Sequence, residues 1–209
     1  MKPPYPGFIT RLKMTGAALK VLRLQISFRE YIWVIFNYLK YDKKSLWKDL
    51  EPARNKKDKG SRAQLGDAII LYRILLKRFT PERAEDIIRN VIKNAAIQFL
   101  RGTLPLLDRE EILEMDNEEK EEILTSLIEK FPNSDWEIVK TKDDEFHYRI
   151  TRCRFPELLR HLDHPELNDA FCAGDLLYFQ EYQPDIDISR PNTIGSGNNC
   201  CDFIFSIRL

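Results

Sequence analysis

The spacing of apolar residues changes once along this 209-residue chain, and that change constrains the fold more than any other feature. Up to residue 131, apolar residues recur at steps of three and four, the spacing that gives an α-helix one apolar face. After Pro132 they alternate with polar residues, which is the period of a strand with one buried face. The sequence therefore predicts an α+β protein, with a helical region over 1–131 and an α+β region over 132–209 that together form one compact domain.

In the first region, capping residues and chain breakers indicate where helices begin and end. Ser61 follows a polar loop at 51–60 and is the predicted N-cap of one helix. No strand of typical length, about five residues, is expected within 61–130. The expected helices are Leu12–Leu24, Tyr31–Leu39, Ser61 to Phe79, Thr80-Pro81 to Gly102, 109–115 capped by Asp108, and 118–130 capped by Asn117.

The second region is expected to hold all the strands, in one antiparallel sheet with one inserted helix. That helix is predicted to begin at His164-Pro165 and to run to about Tyr182, before Pro184. The expected strands are Trp136–Lys140, Glu145–Cys153 after a hairpin loop at 142–144, an edge strand Ile186–Ile194 broken by Pro191, and Cys201–Arg208.

The chain carries no net charge, but its charges are divided unequally. Residues 1–102 hold 22 basic and nine acidic side chains, whereas residues 103–209 hold 11 basic and 24 acidic ones. A basic half is one feature of proteins that dock on nucleic acid or on a membrane. We interpret the split instead as attraction between two halves that pack together, because the basic residues are spread along helices without interleaved aromatic residues. We therefore predict no nucleic-acid partner.

Neither a membrane span nor an export signal is indicated. The richest apolar stretch, Tyr31–Leu39, is far shorter than the roughly 18 residues of a membrane-spanning helix. The start of the chain, Met1-Lys-Pro-Pro-Tyr-Pro6, lacks the apolar core of a signal peptide. We therefore expect a cytoplasmic protein whose four cysteines are free thiols. The sequence leaves the oligomeric state open.

All four cysteines and all three histidines fall within residues 147–201, and this clustering is the strongest chemical signal in the sequence. On the strand Glu145–Cys153, side chains alternate, so His147, Arg149 and Cys153 are expected to share one face. That face is either the floor of a site or the solvated side of a half-exposed sheet.

Cys172 and Asp175 lie three residues apart on the predicted inserted helix and should therefore share a face. A nearby carboxylate raises the pKa of a thiol unless a histidine or arginine compensates. Cys201 begins an alternating strand, for which core packing is the default interpretation. A zinc site built from Cys153, Cys172, Cys201 and a His or Asp is an alternative, but no CxxC or HxxxH-type spacing supports it. We predict neither a metal nor another cofactor.

Four ordered segments lie in the last third of the chain, from Glu145 to Leu209. They are Arg152-Cys153-Arg-Phe155, Cys172-Ala-Gly-Asp175, Arg190-Pro-Asn-Thr193 and Gly197-Asn-Asn-Cys-Cys201-Asp-Phe-Ile-Phe205. In this order they resemble the L-2-amino-thiazoline-4-carboxylic acid hydrolase family, in which a cysteine ends a strand, a Cys-x-x-Asp lies on a helix, an Arg-x-x-Thr follows, and a Gly-x-x-x-Cys-Asp-Phe closes the chain. Cys200 is an extra thiol beside the matched Cys201.

The resemblance implies hydrolytic opening of a small-molecule substrate, a cyclic isothiourea or amidine that carries a carboxylate. Cys172 is then the expected nucleophile, with Cys153 as the close second. Asp175 would bind the cationic amidine, and His147 would move protons. The expected substrate-binding residues are Arg190, at the rim and facing the carboxylate, Thr193, Arg149 and Cys201.

A second function, from a different class, stays open at this point. The same region would also suit a non-catalytic sensor or carrier that binds a small ligand or a metal. The two are distinguished by whether Cys153, Cys172, Asp175 and Arg190 converge on one cavity.

Overall fold

The protein is described by a computed structural model that covers residues 7–131, 133–142 and 144–208. Some residues on which the sequence predictions draw lie outside this range. They are Pro132, at which the apolar spacing changes, Asp143 of the predicted hairpin loop, and the N-terminal stretch 1–6.

Six α-helices precede the first strand along the described chain, and the strands form one antiparallel sheet, which confirms the predicted α+β class. No strand occurs between residues 61 and 130. The helices are α1 (Phe8–Gln25), α2 (Phe28–Lys40), α3 (Lys56–Leu75), α4 (Pro81–Thr103), α5 (Arg109–Glu114), α6 (Asn117–Ile128), α7 (Arg154–His161) and α8 (Ala173–Tyr182). The strands are β1 (Ser134–Thr141), β2 (Glu145–Cys153), β3 (Ile186–Ser189) and β4 (Cys201–Ile207).

The predicted caps of α4 and α5 are confirmed, whereas that of α3 is wrong. Thr80 accepts a hydrogen bond from the Arg83 amide, and Asp108 caps α5.

The start of α3 differs from the prediction, because this helix is capped by Asn55 and begins at Lys56, five residues before the expected start. Asn55 is as good a cap as serine, and the lysines that follow it remain solvated on the first turns. Ser61 lies buried inside the helix and donates to the Lys57 carbonyl at 2.8 Å. Similarly, Asp116, rather than Asn117, caps α6.

The single inserted helix predicted from His164 to Tyr182 is also wrong. A short 3-10 helix, Pro165–Leu167, is followed by turns, and α8 begins only at Ala173. An unpredicted helix, α7, follows β2 without a break. Asp163, with a positive φ of 62°, separates α7 from the 3-10 helix.

The strand order is β1-β2-β4-β3, so the last strand lies between the hairpin and the short edge strand. β3 ends at Ser189, before Pro191, and is therefore shorter than the predicted edge strand Ile186–Ile194. This matches the rule that proline cannot donate a hydrogen bond within a sheet. Tyr148 and Phe203 stack on the inner face, with ring centroids 4.9 Å apart.

Two clusters of buried side chains form the interior, and each contains residues from both predicted regions. The first joins α1–α4 to Leu158 and Leu159 of α7. The second joins the inner face of the sheet and α8 to Leu100 of α4, Ile112 of α5 and Ile128 of α6. None of the helices in the described part of the chain is long and apolar enough to span a membrane.

Candidate active site

A cavity of about 740 Å³ lies between the inner face of the sheet and the helices, and each of the eight described helices contributes at least one lining residue. Most of its lining is aliphatic or aromatic. One group of lining residues is different, because it combines three thiols with a carboxylate: Cys153, Cys172, Cys201 and Asp175.

Cys153 reaches the cavity because of an irregularity in the sheet. In the β1–β2 pairing Asp135 lies opposite Arg152 and Trp136 opposite Ile150, which leaves Thr151 as an extra residue. The bulge reverses the alternation, so Cys153 is buried with the inner-face residue Ile150. The prediction that Cys153 shares a face with His147 and Arg149 is therefore wrong.

Cys172 and Asp175 are positioned by the first turn of α8. Cys172 is the N-cap residue, so its side chain lies at the positive end of the helix dipole. α8 is held close to α4 at Gly174, where an added Cβ would lie 2.6 Å from the Cβ of Ala96. This close approach explains the glycine in Cys172-Ala-Gly-Asp175 and brings the start of α8 to the wall of the cavity.

Arg190 was predicted to lie at the rim of the site, but it is packed behind Asp175, away from the cavity. Only 8% of its side chain is exposed, and its Nη1 donates to Asp175 Oδ2 and to the Cys172 carbonyl, both at 3.0 Å. It does not belong to the residues that line the cavity. Arg190 thus fixes the carboxylate and the peptide that carries Cys172.

The electrostatics of this cluster follow from its enclosure. Burial raises the pKa of Asp175 to about 6, although the Arg190 charge opposes the increase. Burial also raises the pKa of the Cys153 thiol to about 11 and, with the Asp175 carboxylate, raises the pKa of Cys172 still further. The thiols are therefore protonated at neutral pH when the cavity contains no cation.

His147 and Arg149 lie on the opposite face of the sheet, away from the thiols. Both contact Asp202 Oδ1, at 3.0 Å from His147 Nε2 and at 2.8 Å from Arg149 Nε. Asn192 donates to the other oxygen of Asp202 at 3.1 Å. These hydrogen bonds hold the pKa of Asp202 well below its usual range. Asp202 is thus the centre of a polar cluster that joins β2, β4 and the loop between β3 and β4, and this cluster was not predicted from the sequence.

Of the remaining predicted binding residues, Thr193 lies in the turn that precedes β4, and Cys201 is the first residue of β4. Thr193 caps a 3-10 helix, Ile194–Ser196, by accepting from the Ser196 amide, and does not line the cavity. Cys201 does line it, and its sulfur accepts from the Ile194 amide at 3.1 Å. The turn therefore holds one thiol of the cluster in place.

The helical side of the cavity was not predicted. Val91, Ala95 and Phe99, on the apolar face of α4, line the cavity. The signal for this is the pair of small residues Ala95-Ala96, which leaves space on a face of otherwise large side chains. Among the described residues, no group of three or more His, Cys, Asp or Glu side chains is arranged to hold a metal ion.

Comparison with known proteins adds one finding. The family model for L-2-amino-thiazoline-4-carboxylic acid hydrolase matches residues 61–205, from within α3 to within β4. This match includes all four cysteines and the helical wall formed by α4 and α6. No curated protein and no solved structure matches the chain.

Proposed function

The chain belongs to the L-2-amino-thiazoline-4-carboxylic acid hydrolase family, and from that premise we propose that it opens a small cyclic isothiourea or amidine by cysteine attack on the ring carbon between the heteroatoms. The observation that supports this most directly is the cluster of three thiols and one arginine-held carboxylate in a single cavity. A protonated amidine is a planar cation with N–H donors, which is a suitable partner for a carboxylate.

Asp175 binds that cation in this proposal, and Arg190 keeps the carboxylate in place. Arg190 therefore supports Asp175 rather than receiving the substrate carboxylate. Because the pKa of Asp175 is about 6, the group exchanges protons close to neutral pH, as a general acid or base should. The proton-transfer role expected for His147 passes to Asp175, because His147 contacts Asp202 on the other face.

Cys172 is the proposed nucleophile, and substrate binding is what activates it. A cation bound beside the thiol favours the thiolate, and so does the N-terminus of α8. The Cys172 sulfur forms a bond to the ring carbon, the ring C–N bond breaks, and the departing nitrogen takes a proton. Water then attacks the same carbon, the C–S bond to the enzyme breaks, and the thiol is restored. Cys153 remains the second candidate for this role.

The proposal is tested by incubating the protein with 2-aminothiazoline-4-carboxylate and with related cyclic amidines, followed by mass spectrometry of products and protein. We expect a product heavier than the substrate by one water, with the label incorporated from ¹⁸O-water, and a transient adduct on Cys172. Consumption of none of the panel, with no adduct on any thiol, would refute a hydrolase of this kind.

A non-catalytic carrier or sensor is the second candidate, and one observation favours it. The raised pKa values of Cys153 and Cys172 make these thiols unreactive until a cation is bound. A carrier would bind the same compounds with measurable affinity but return them unchanged. Isothermal titration beside the turnover assay therefore separates the two functions.

A further inference from the structure

The cavity is much larger than the ring from which the family takes its name. 2-Aminothiazoline-4-carboxylate has about nine non-hydrogen atoms, so even at a full water's share of about 30 Å³ each it needs roughly 270 Å³. The cavity measures about 740 Å³. More than half of the space would be unfilled with that ring alone, and an apolar space of this size is a typical ligand site.

The polar and apolar parts of the lining are separated. Cys153 is the last residue of β2, Cys201 is the first residue of β4, and Cys172 and Asp175 lie at the start of α8. The rest of the lining is dominated by large apolar side chains from α1, α4, α6 and the inner face of the sheet, among them Leu22, Ile92, Phe99, Leu124 and Phe205.

The exposed lining residues show where the cavity meets solvent. Leu106, which follows α4, is 68% exposed, and Leu19 of α1 and Ile123 of α6 are more than one-third exposed. An opening edged with apolar side chains favours entry of an apolar group. Besides Asp175 and the buried Lys120, the charged lining residues are exposed to solvent: Arg11, Asp67, Asp108 and Glu111.

We propose that the natural ligand is an amphiphile, with a small amidine-type cation held at Asp175 and a long apolar tail that fills the space between α1, α4, α6 and the sheet. The identity of the head group rests on the proposed function, whereas the tail rests on the size and lining of the cavity. The substrate is then an alkylated or acylated relative of the aminothiazoline rather than the free ring.

A series of S-alkylisothiouronium salts, from methyl to dodecyl, tests the proposal with binding as the readout. Each fully buried methylene should tighten the dissociation constant about threefold to fourfold, so the seven methylenes between methyl and octyl should give at least about 2,000-fold. Dodecanoate carries a tail of similar length with an anionic head. Equal affinities across the alkyl series would overturn the proposed tail, and tighter binding of dodecanoate than of the dodecyl cation would overturn the proposed head group.

A pair of matched variants separates binding in the cavity from non-specific adsorption. Ala95→Phe fills part of the space next to α4, whereas Ala53→Phe adds the same side chain to an exposed loop. We expect Ala95→Phe to weaken binding of the dodecyl compound at least tenfold while the methyl compound is unaffected, and Ala53→Phe to change neither. Equal loss in both variants, or in neither, would contradict a tail in this cavity.

Failure of the amphiphile proposal can be distinguished from failure of the proposed hydrolase function. If long-chain salts bind with this chain-length dependence but no amidine is hydrolysed, the ligand class stands and the hydrolase does not. If 2-aminothiazoline-4-carboxylate is hydrolysed but affinity is independent of chain length, the hydrolase stands and the amphiphile is rejected.

Discussion

Asp175 is the residue on which the proposed chemistry of the cavity most depends, because it is a carboxylate largely surrounded by protein and paired with a buried guanidinium. Taking a carboxylate out of water favours its protonated form, while Arg190 favours the charged one. Burial has the larger effect, and the pKa of Asp175 is about 6. The side chain is thereby able both to bind a cation and to exchange a proton.

This raised pKa has a consequence for stability. Between about pH 4 and pH 6 the folded protein keeps a proton on Asp175 that the unfolded chain has lost, so the contribution of Asp175 to stability falls as pH rises through that range. We expect the free energy of unfolding of the wild type, relative to Asp175→Asn, to decrease by roughly 2–3 kcal/mol from pH 4 to pH 7. Urea unfolding at several pH values measures this.

Asp187→Asn is the control for that experiment. Asp187 is hydrogen-bonded to Arg208, which lowers its pKa, so its contribution to stability should be lost as pH falls rather than as pH rises. A stability difference for Asp175→Asn that is flat with pH would mean that the carboxyl is ionised normally in the folded protein.

A second residue-level prediction concerns the nucleophile. Cys172→Ser should reduce turnover of the best substrate by at least about 1,000-fold, because a serine hydroxyl in this position has no base strong enough to ionise it. Its melting temperature should change little, since the two side chains are nearly isosteric. Cys200→Ser is the matched control, because Cys200 faces Asp202 and not the cavity. Retained turnover in Cys172→Ser would transfer the role to Cys153.

Single residues also show where sequence analysis succeeded and failed. Cys172 and Asp175 were expected to share a face, and both line the cavity. The face of Cys153 was assigned wrongly, because strict alternation takes no account of the bulge at Thr151. A bulge depends on how the partner strand pairs, and the residues of β2 alone do not specify that pairing.

At the scale of elements, the packing of α8 on α4 determines where the candidate nucleophile lies. Gly174 allows this contact, so Gly174→Ala should displace α8 and destabilise the protein by about 1–3 kcal/mol, despite the better helix propensity of alanine. Combining it with Ala96→Gly should recover part of the loss, because the facing methyl group is then removed. Thermal denaturation of the single and double variants measures the coupling.

Gly16→Ala provides the comparison for this prediction. Nothing lies within 4 Å of a Cβ added at Gly16, in the middle of α1. Stability should therefore stay the same or rise by up to about 1 kcal/mol. An equal effect at Gly16 and Gly174 would show that close packing of α8 is not what the second glycine provides.

Gln183 connects the end of α8 to the segment between α4 and α5. The fully buried side chain donates to the Pro105 carbonyl at 2.7 Å and to the Tyr178 hydroxyl at 2.8 Å, and accepts from the Leu107 amide at 2.9 Å. Gln183→Leu would leave the partly buried Pro105 carbonyl and Leu107 amide without this partner, which should cost about 1–3 kcal/mol. Chemical denaturation measures this loss.

Gln180 offers the same substitution at an exposed position of α8. Gln180→Leu should change stability by less than about 0.5 kcal/mol. If the two glutamine variants were equally stable, the buried hydrogen bonds of Gln183 would contribute nothing measurable.

Helices were predicted best where a capping residue and the spacing of apolar residues indicate the same boundaries. α4 has Thr80 and Pro81 at its start and a clear apolar stripe, and it was placed within one residue of its observed end. α7 was missed because no breaker separates it from β2, although Phe155, Leu158, Leu159 and Leu162 have helical spacing. The segment around Cys172 was expected to be helical throughout, but tertiary packing divides it into turns and a shorter helix.

At the scale of the whole molecule, the opposite charges of the two halves meet in a few ion pairs. Lys57 contacts Asp135 at 2.9 Å and Arg89 contacts Asp169 at 2.9 Å, each with the basic partner from the first half and the acidic partner from the second. These pairs are partly exposed, and such pairs contribute at most about 1 kcal/mol each. Attraction between the halves was anticipated from the charge split, but shared apolar packing is the larger contribution.

The two regions should therefore unfold together. Both buried clusters cross the boundary at residue 131, so loss of either region exposes apolar surface of the other. Trp33 and Trp47 report on the helical region and Trp136 on β1. In urea, a Trp136→Phe variant and a Trp33→Phe/Trp47→Phe variant should each show a single fluorescence transition, and each should coincide with the loss of helix measured by circular dichroism on the same variant. If the Trp136 fluorescence of the Trp33→Phe/Trp47→Phe variant changed at lower urea than its circular dichroism, the two regions would not unfold together. Residues 132–209 would then be a separate unit resting on an independently folded helical layer.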